Sequence, residues 1–595
     1  MKKLLAVLLL ILSVIIGVIF FPRTVENGVV IGKTSDYITI LIDGKIKNYK
    51  TTAAYPKFTV VNFKYNLFKV YGFKVLNPIN DRVMLKSNYY YDLEALGKTA
   101  LASKTYYYSV DTENNIKISD SKEVIVGKAN VKSYKNRKGD LKTFIVFPVD
   151  FTSMRVGLST TNFTSVFHSE IQIKTVSEAK LYSKRDNLSI DLPKNSTLKI
   201  SSDGTNLNLL LDNKKTVFKN RIYISGSSLT VLSIKRGSTP FTPTYSGILE
   251  FNNLDSGMTV INEVALDDYL KKVVPSEMPL SGGLEALKCQ AIAARTYAIS
   301  DMISNRFAEQ GFYVDDSTRS QVYNNYPMQA LSSEAVNETK GMIMTYEGKP
   351  IDAKYYSTSS GTGEDYKNIW FKSDGSSESR PYLLVNNYMR PIKELPKTEA
   401  AWLNFYKNNT IKAIDSDYPY FRWRIEYSET GITNMLNKTL KSLKEGNSSK
   451  NFVDIYENSK VIVKLPQLEK LQDIKILKRG EGGIAIEISY IFSNATVNVR
   501  GDSYIRSSIK CNKDYTNEET AIIRLKGDPL TNVGSMPSSF FSVEKKDGKF
   551  TIYGGGFGHG AGMSQFGAIE LSKNGAKYED ILNTFYKNIK IDKLY

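Results

Sequence analysis

Cysteine and histidine are scarce in this chain, with two of each in 595 residues. Cys289 and Cys511 cannot supply a disulfide framework, and a chain of this length buries enough apolar surface to hold a core without staples. Whether the two pair is not written in the sequence. Cys289 lies in an alanine-rich stretch, where a small buried hydrophobe is the expected role. His168 has no ligand partner nearby and is expected to be structural or solvent-facing. Acidic residues are also in deficit: 61 Asp and Glu stand against 79 Lys and Arg, a net charge of +18. Such an excess suits an anionic polymer or surface as partner. No zinc-finger spacing, RNA-recognition strand motif or basic helix is present, which speaks against nucleic acid, and a cell-wall polyanion is preferred once the N-terminal run described next is read. Between Thr24 and about Phe151 there is no strict internal repeat and no low-complexity tract.

One long apolar run is present. Lys2 and Lys3 precede a charge-free stretch from Leu4 to Phe21, broken only by Ser13 and Gly17 and close to the roughly 20 residues that cross a bilayer. No small-x-small cleavage site follows, and Phe20-Phe21-Pro22-Arg23 closes the run. Residues 1–23 are therefore expected to be a cytoplasmic tip and an uncleaved signal anchor. The N-terminus stays inside and the bulk of the chain lies outside the membrane.

The expected fold class is α+β. Residues 24–151 read as a β-rich accessory domain: "YITILIDGKIKNYK" is a hairpin about Asp43-Gly44, and "LFKVYGFKVL" and "NNIKISDSKEVIVG" are strands. "YYYDLEALGKTALASKTYYY" from Tyr89 leaves room for a short helix at its centre. Strands continue from Met154, with a second hairpin about Asp203-Gly204, and lead through "ILEFNN" and "MTVINEV" to the stretch Val273-Val274-Pro275-Ser276-Glu277-Met278-Pro279. Farther on, a polar helix near Glu429 and "EGNSSKN" look like an inserted excursion.

Pro275 and Pro279 fix the backbone on both sides of Glu277, which predicts a stiff loop directly before a helix. Ser281 is a candidate cap for that helix and Glu285 falls in its first turn. Leu287, Ala291, Ala294, Ala298 and Met302 then recur as a buried stripe. A carboxylate among Val273, Val274, Pro275, Met278 and Pro279 is poorly hydrated, which disfavours its charged form and suits a general acid. The alternative is a solvated glutamate, or a structural ion pair with Arg295. Asp267 and Asp268, in "LDDYL", read as charges at a helix start. The loop Ser357-Thr358-Ser359-Ser360, after Tyr355 and Tyr356, suits either sugar hydroxyls or an ordinary solvated turn. In "GGGFGHGAGMSQFGA", from Gly554, glycines allow close backbone approach around His559, and Ser564-Gln565 open a helix running through Ser572. His559 can orient Glu277, hold a sugar hydroxyl, move protons near neutral pH, or simply fix the loop.

"INEVALDDYLKKVVPSEMP" with "ALKCQAIAARTYA", and the glycine-rich motif after them, closely resemble the stage II sporulation protein D / amidase enhancer LytB family. The resemblance covers about 152–595, with a catalytic core from about 247. It implies a membrane-anchored murein lytic transglycosylase that cleaves peptidoglycan glycan strands and leaves a 1,6-anhydro end. Glu277 is the candidate catalytic residue, general acid and then base. Arg295, Tyr297, Ser359, His559, Ser564 and Gln565 are the substrate-binding or supporting candidates. Some relatives hold zinc near "DDSTRSQVY", but this chain has Asp315 and Ser320 there, without thiolate or local histidine, so no metal and no cofactor is expected. Because the family also includes amidase enhancers, a wall-binding protein that stimulates a separate amidase is the alternative. A purely structural role in the sporulation envelope is a third.

Overall fold

The computed structural model describes residues 21–446 and 451–594. Nearly all of the N-terminal apolar run, and most of "GNSSK", lie outside the described residues. Among the described residues no helix is long and apolar enough to cross a membrane.

Two compact units divide the chain. The first comprises residues up to 273 with 298–326, and the second 274–297 with 327 onward. The first unit is built of three sheets, of 5, 6 and 12 strands. In the 5-stranded sheet Tyr37–Ile42 and Lys45–Lys50 form the expected hairpin, with Ile42 opposite Lys45. Asp43 and Gly44 have φ of +47° and +70°, the two-residue turn whose twist matches the flanking strands. The stretch from Tyr89 holds no helix. Tyr90–Leu93 and Gly97–Val110 pair antiparallel, as their β-branched and aromatic content favours. The second expected hairpin also forms, Thr197–Ser202 against Leu207–Leu211.

His168 is buried in this unit, and its Nε2 lies 2.7 Å from the Leu158 carbonyl. Burial pushes its pKa below the ordinary value, so it serves as a neutral structural ring. Asp315 pairs with Arg319 at 2.7 Å, and its amide donates to Ser320 Oγ at 3.1 Å. The segment "DDSTRSQVY" opens on a hydrogen-bonded turn.

The helices of the fold include α1, Leu266–Glu277; α2, Gly283–Ser304; α3, Ala330–Glu338; α4, Glu429–Glu445; and α5, Gln565–Lys573. The second unit contains a 5-stranded antiparallel sheet (453–500) and a 4-stranded one in which Trp423–Ser428 pairs with both Lys549–Gly554 and Ile523–Arg524. α4 is no polar excursion: it buries Ile432, Met435, Leu436 and Leu440 in one core with Val453, Ile455, Val497 and Val499 of the 5-stranded sheet. Finally, Tyr355–Tyr356 pairs parallel with Met563–Ser564, and this short ladder organises the site.

Candidate active site

Glu277 is the last residue of α1, not part of a loop. The helix persists through Pro275 because Leu266, Tyr269, Leu270, Val273 and Val274 follow helical spacing and are all buried. The proline removes one donor, but the ladder resumes at once, with Met278 N–H donating to the Val274 carbonyl at 3.0 Å. Packing therefore outweighs the local preference of the two prolines. Asp267 and Asp268 do occupy the first turn, as their charge favours. Pro279 is extended and leads into a 3-10 turn, Leu280–Gly282, that contains Ser281, so this serine does not cap α2. Glu285 lies in the first turn of α2 as expected, and accepts from Tyr578 N–H at 2.9 Å.

The half-buried Glu277 carboxylate accepts a hydrogen bond from the Tyr355 hydroxyl at 3.1 Å. Its backbone carbonyl accepts from Gln565 Nε2 at 3.0 Å, and the same amide group donates to Gln290 Oε1 at 3.2 Å. Gln565 thus ties the end of α1 to α2 from the first position of α5. α2 is wider in its burial than the expected stripe: between Ala286 and Ile299 nearly every residue is buried, including Gln290, Arg295 and Thr296. Most buried polar groups in native proteins find partners; Gln290 Nε2 has none among the described residues, whereas Arg295 reaches three carbonyls. Arg295 donates to the carbonyls of Thr339 at 2.7 Å, Met342 at 3.2 Å and Val336 at 3.3 Å, closing the C-terminal end of α3.

Tyr297 is buried, and its ring centroid lies 6.5 Å from that of Tyr355. Lys354 Nζ stands 4.4 Å from the Tyr297 ring and 5.6 Å from Trp370, and pairs with Asp352 at 3.0 Å. Trp370 in turn lies 4.8 Å from His559 and 4.5 Å from Tyr366. An aromatic and cationic surround therefore sits beside the carboxylate.

The glycine-rich segment lies against the chain at Lys354–Ser360. Gly562 has φ +73°, and a Cβ there would stand 2.0 Å from the Lys354 carbonyl, so no other residue fits. His559 Nδ1 accepts from Ala561 N–H at 3.1 Å, which places the neutral ring's proton on Nε2, and the ring is also bonded to the Tyr355 backbone. Although the ring keeps an edge toward solvent, burial first, and then Lys354 and Arg506, push its pKa down to about 3. Burial and these two cations disfavour the charged ring, which speaks against the proton-moving role among those expected. His559 is a neutral group that holds the backbone of the residue contacting Glu277.

Ser359 and Ser564 meet on a residue the sequence did not flag. Asp415, fully buried, accepts from Ser359 N–H at 2.7 Å, Ser359 Oγ at 2.6 Å and Ser564 Oγ at 2.7 Å. Burial raises its pKa, while these donors pull the other way. Ser564 also accepts from Gly567 N–H at 3.1 Å, capping α5, which runs from Gln565 as expected. Thr358, Ser359 and Ser360 are buried while Ser357 is half-buried, so most of this loop is not a solvated turn, and Ser359 faces the protein. The Ser359 hydroxyl is spent on Asp415 and that of Ser360 on Thr362.

Glu277, Gln565, Tyr297 and, through Tyr355, His559 are thus gathered in one place. Arg295, Ser359 and Ser564 hold the elements that carry them. Sequence reasoning passed over Gln290, Asp415 and the hydroxyl of Tyr355; Gln290 lay inside a quoted motif and Tyr355 just before the serine loop, whereas Asp415 stood in neither. Both cysteines are buried and free. Among the described residues no group of three or more His, Cys, Asp and Glu is placed to hold a metal ion.

Residues 254–346 match the family model described as stage II sporulation protein. The chain is 29% identical over 322 residues to a protein of Bacillus subtilis strain 168 called amidase enhancer, covering 53% of this chain and 39% of that protein. It is 25% identical over 347 residues to the stage II sporulation protein D of the same organism, covering 56% and 76% respectively. It is also 27% identical over 354 residues to an uncharacterized protein of Brachyspira hyodysenteriae, covering 58% and 72%. The chain therefore spans well under half the length of the amidase enhancer. Glu277, Gln290, Arg295 and Tyr297 all fall inside the matched family segment.

Proposed function

From a chain that carries a stage II sporulation protein domain, we propose a cell-wall enzyme that cuts peptidoglycan glycan strands as a lytic transglycosylase. The observation that carries this reading is the mounting of Glu277: one half-buried carboxylate at a helix end, oriented by the Tyr355 hydroxyl and by Gln565 on its backbone. Glycoside hydrolysis ordinarily sets two carboxylates across the scissile bond. The other carboxylates of α1, Asp267 and Asp268, stand at its opposite end. Asp352, a carboxylate in the same surround, is engaged by Lys354 at 3.0 Å, and this reading assigns both proton transfers to Glu277.

Glu277 gives its proton to the oxygen leaving C1 of the muramyl residue, and the C1–O4 bond breaks. The muramyl C6 hydroxyl then closes on C1 and returns its proton to Glu277. No water is consumed, the carboxyl ends as it began, and the product carries a 1,6-anhydro end. Proton transfer of this kind is worth about 10²- to 10⁴-fold, so the remainder rests on sugar positioning. Tyr297, Trp370 and Lys354 are the groups beside the acid that can contribute to it. The substrate is extracytoplasmic, which accords with an N-terminal anchor that holds the chain at the outer face of the membrane. Mass spectrometry of purified sacculi after incubation with the chain tests the reading: the fragments are expected to end in anhydro-muramyl residues, each lighter by one water than a hydrolysis product. Reducing ends alone would refute it.

The similarity to a protein named amidase enhancer favours a second reading, in which the chain binds wall and stimulates a separate amidase. A folded Glu277→Ala variant separates the two. Full stimulation of an amidase by that variant, with no glycan cleavage by the parent, would establish the second.

A further inference from the structure

Around the end of the strand Trp423–Ser428 the second unit has a cleft of about 60 Å³ lined by Arg422, Arg424, Arg524, Lys407, Tyr406 and Tyr553 among others. None of these residues belongs to the surround of Glu277. Arg422 is only 2% exposed, and its guanidinium is clamped between the Phe405 and Phe421 rings at 4.8 and 4.2 Å. Its Nη1 donates to the carbonyls of Phe421 at 2.7 Å and Ser360 at 2.9 Å, and its Nε to that of Asn408 at 3.2 Å. Its Nη2 is buried with no hydrogen-bond partner among the described residues.

Arg524 repeats the pattern. Its guanidinium lies over Tyr420 at 5.2 Å and its Nη2 donates to the Asp528 carbonyl at 2.9 Å, while its Nε is buried and unpartnered among the described residues. Arg424 is exposed one residue along the strand. Lys407 is already paired with Glu544 at 2.9 Å. Among the described residues no ion pair joins Arg422, Arg424 or Arg524 to a carboxylate. Asp415, whose field reaches Arg422, is held by Ser359 and Ser564 and does not line the cleft. Burial without a counter-ion pushes the Arg422 guanidinium down to about 10.

Buried donors left open in native proteins call for an explanation, and guanidinium forks fit oxyanions. We infer that this cleft is a binding site for a phosphate group, with Arg422 at its floor and Arg424 and Arg524 at its mouth. Three arginines without an acid among them match a group carrying nearly two negative charges better than a single carboxylate. The phosphate can come free in solution or as the repeating phosphate of an anionic wall polymer, the second being in keeping with the chain's net charge of +18.

The test uses the full chain in mild detergent, titrated calorimetrically with inorganic phosphate and, at equal ionic strength, with chloride. Saturable phosphate binding is expected, weakened about tenfold or more in an Arg424→Gln/Arg524→Gln variant, as loss of charged hydrogen bonds implies. These two side chains reach solvent, so the variant avoids the risk that replacing Arg422 unfolds the unit. Binding of poly(glycerol phosphate) that free phosphate displaces identifies the polymer as source, whereas phosphate binding without polymer binding identifies the free ion. Heats no different from chloride, or phosphate affinity unchanged in the double variant, would overturn the inference. None of these readouts involves Glu277, so failure here leaves the proposed enzyme activity untouched, and the converse holds.

Discussion

Glu364 lies completely buried in the second unit, four residues beyond the loop that Asp415 fixes. Its Oε1 accepts from Asp365 N–H at 3.0 Å and Asn368 Nδ2 at 2.9 Å, and its Oε2 from Ile484 N–H at 3.4 Å. Burial raises its pKa from 4.5 to about 7, against the pull of these donors. Between those two values the folded chain keeps a proton that the unfolded chain has lost, so stability must fall as pH rises. The contribution is complete below about pH 4.5 and gone above about pH 7. A shift of that size corresponds to roughly 3 kcal/mol, a large share of an ordinary domain's stability. The chain's 3 tryptophans, Trp370, Trp402 and Trp423, all lie in the second unit, so urea unfolding followed by their fluorescence reports on that unit. Glu364→Gln removes the titration. It also turns an amide donor toward Ile484 N–H, so the variant is expected to be less stable at pH 5, with the gap to the parent closing by about 3 kcal/mol by pH 8. If the difference between parent and variant stays constant from pH 5 to 8 within about 0.5 kcal/mol, the assigned burial of a protonated carboxyl is wrong.

Tyr355→Phe removes the hydroxyl that orients Glu277. Glycan cleavage is expected to drop about 10- to 100-fold in kcat with KM little changed, because the lost bond is to a charged group. A parallel loss in KM would mean that Tyr355 binds sugar instead. Ser564→Ala removes both the cap of α5 and a donor to Asp415. Chemical denaturation should show a loss of about 2 to 3 kcal/mol, and a change within 0.5 kcal/mol of zero would show that the Asp415 network contributes little. Because burial, Lys354 and Arg506 push the His559 pKa down to about 3, no step in activity between pH 5 and 8 should trace to it, and the pH–rate profile of a His559→Gln variant should keep the parent's shape.

Local signals carried the hairpin at Asp43-Gly44 and the helix opened by Ser564, since turn chemistry and a cap are properties of a few adjacent residues. Proline logic misplaced Glu277 on a loop, because the buried stripe from Leu266 to Val274 is a tertiary fact that outvotes a single missing donor. The serine loop shows a different limit. Composition counts hydroxyls, but whether they face a ligand or the protein depends on Asp415, more than fifty residues away. His559 was legible as important, yet its neutrality follows from Lys354, Arg506 and its burial, none of which neighbours it in sequence. Gln290 lay inside a flagged motif without any feature to distinguish it from the helix around it.

The most direct test of the account is the rate at which Glu277→Gln, folded as judged by an unchanged tryptophan emission and urea midpoint, releases anhydro-muramyl fragments from purified sacculi. A fall of about 10²-fold or more against the parent is the expected result. Release at the parent's rate would contradict the assignment of Glu277 as the acid and base.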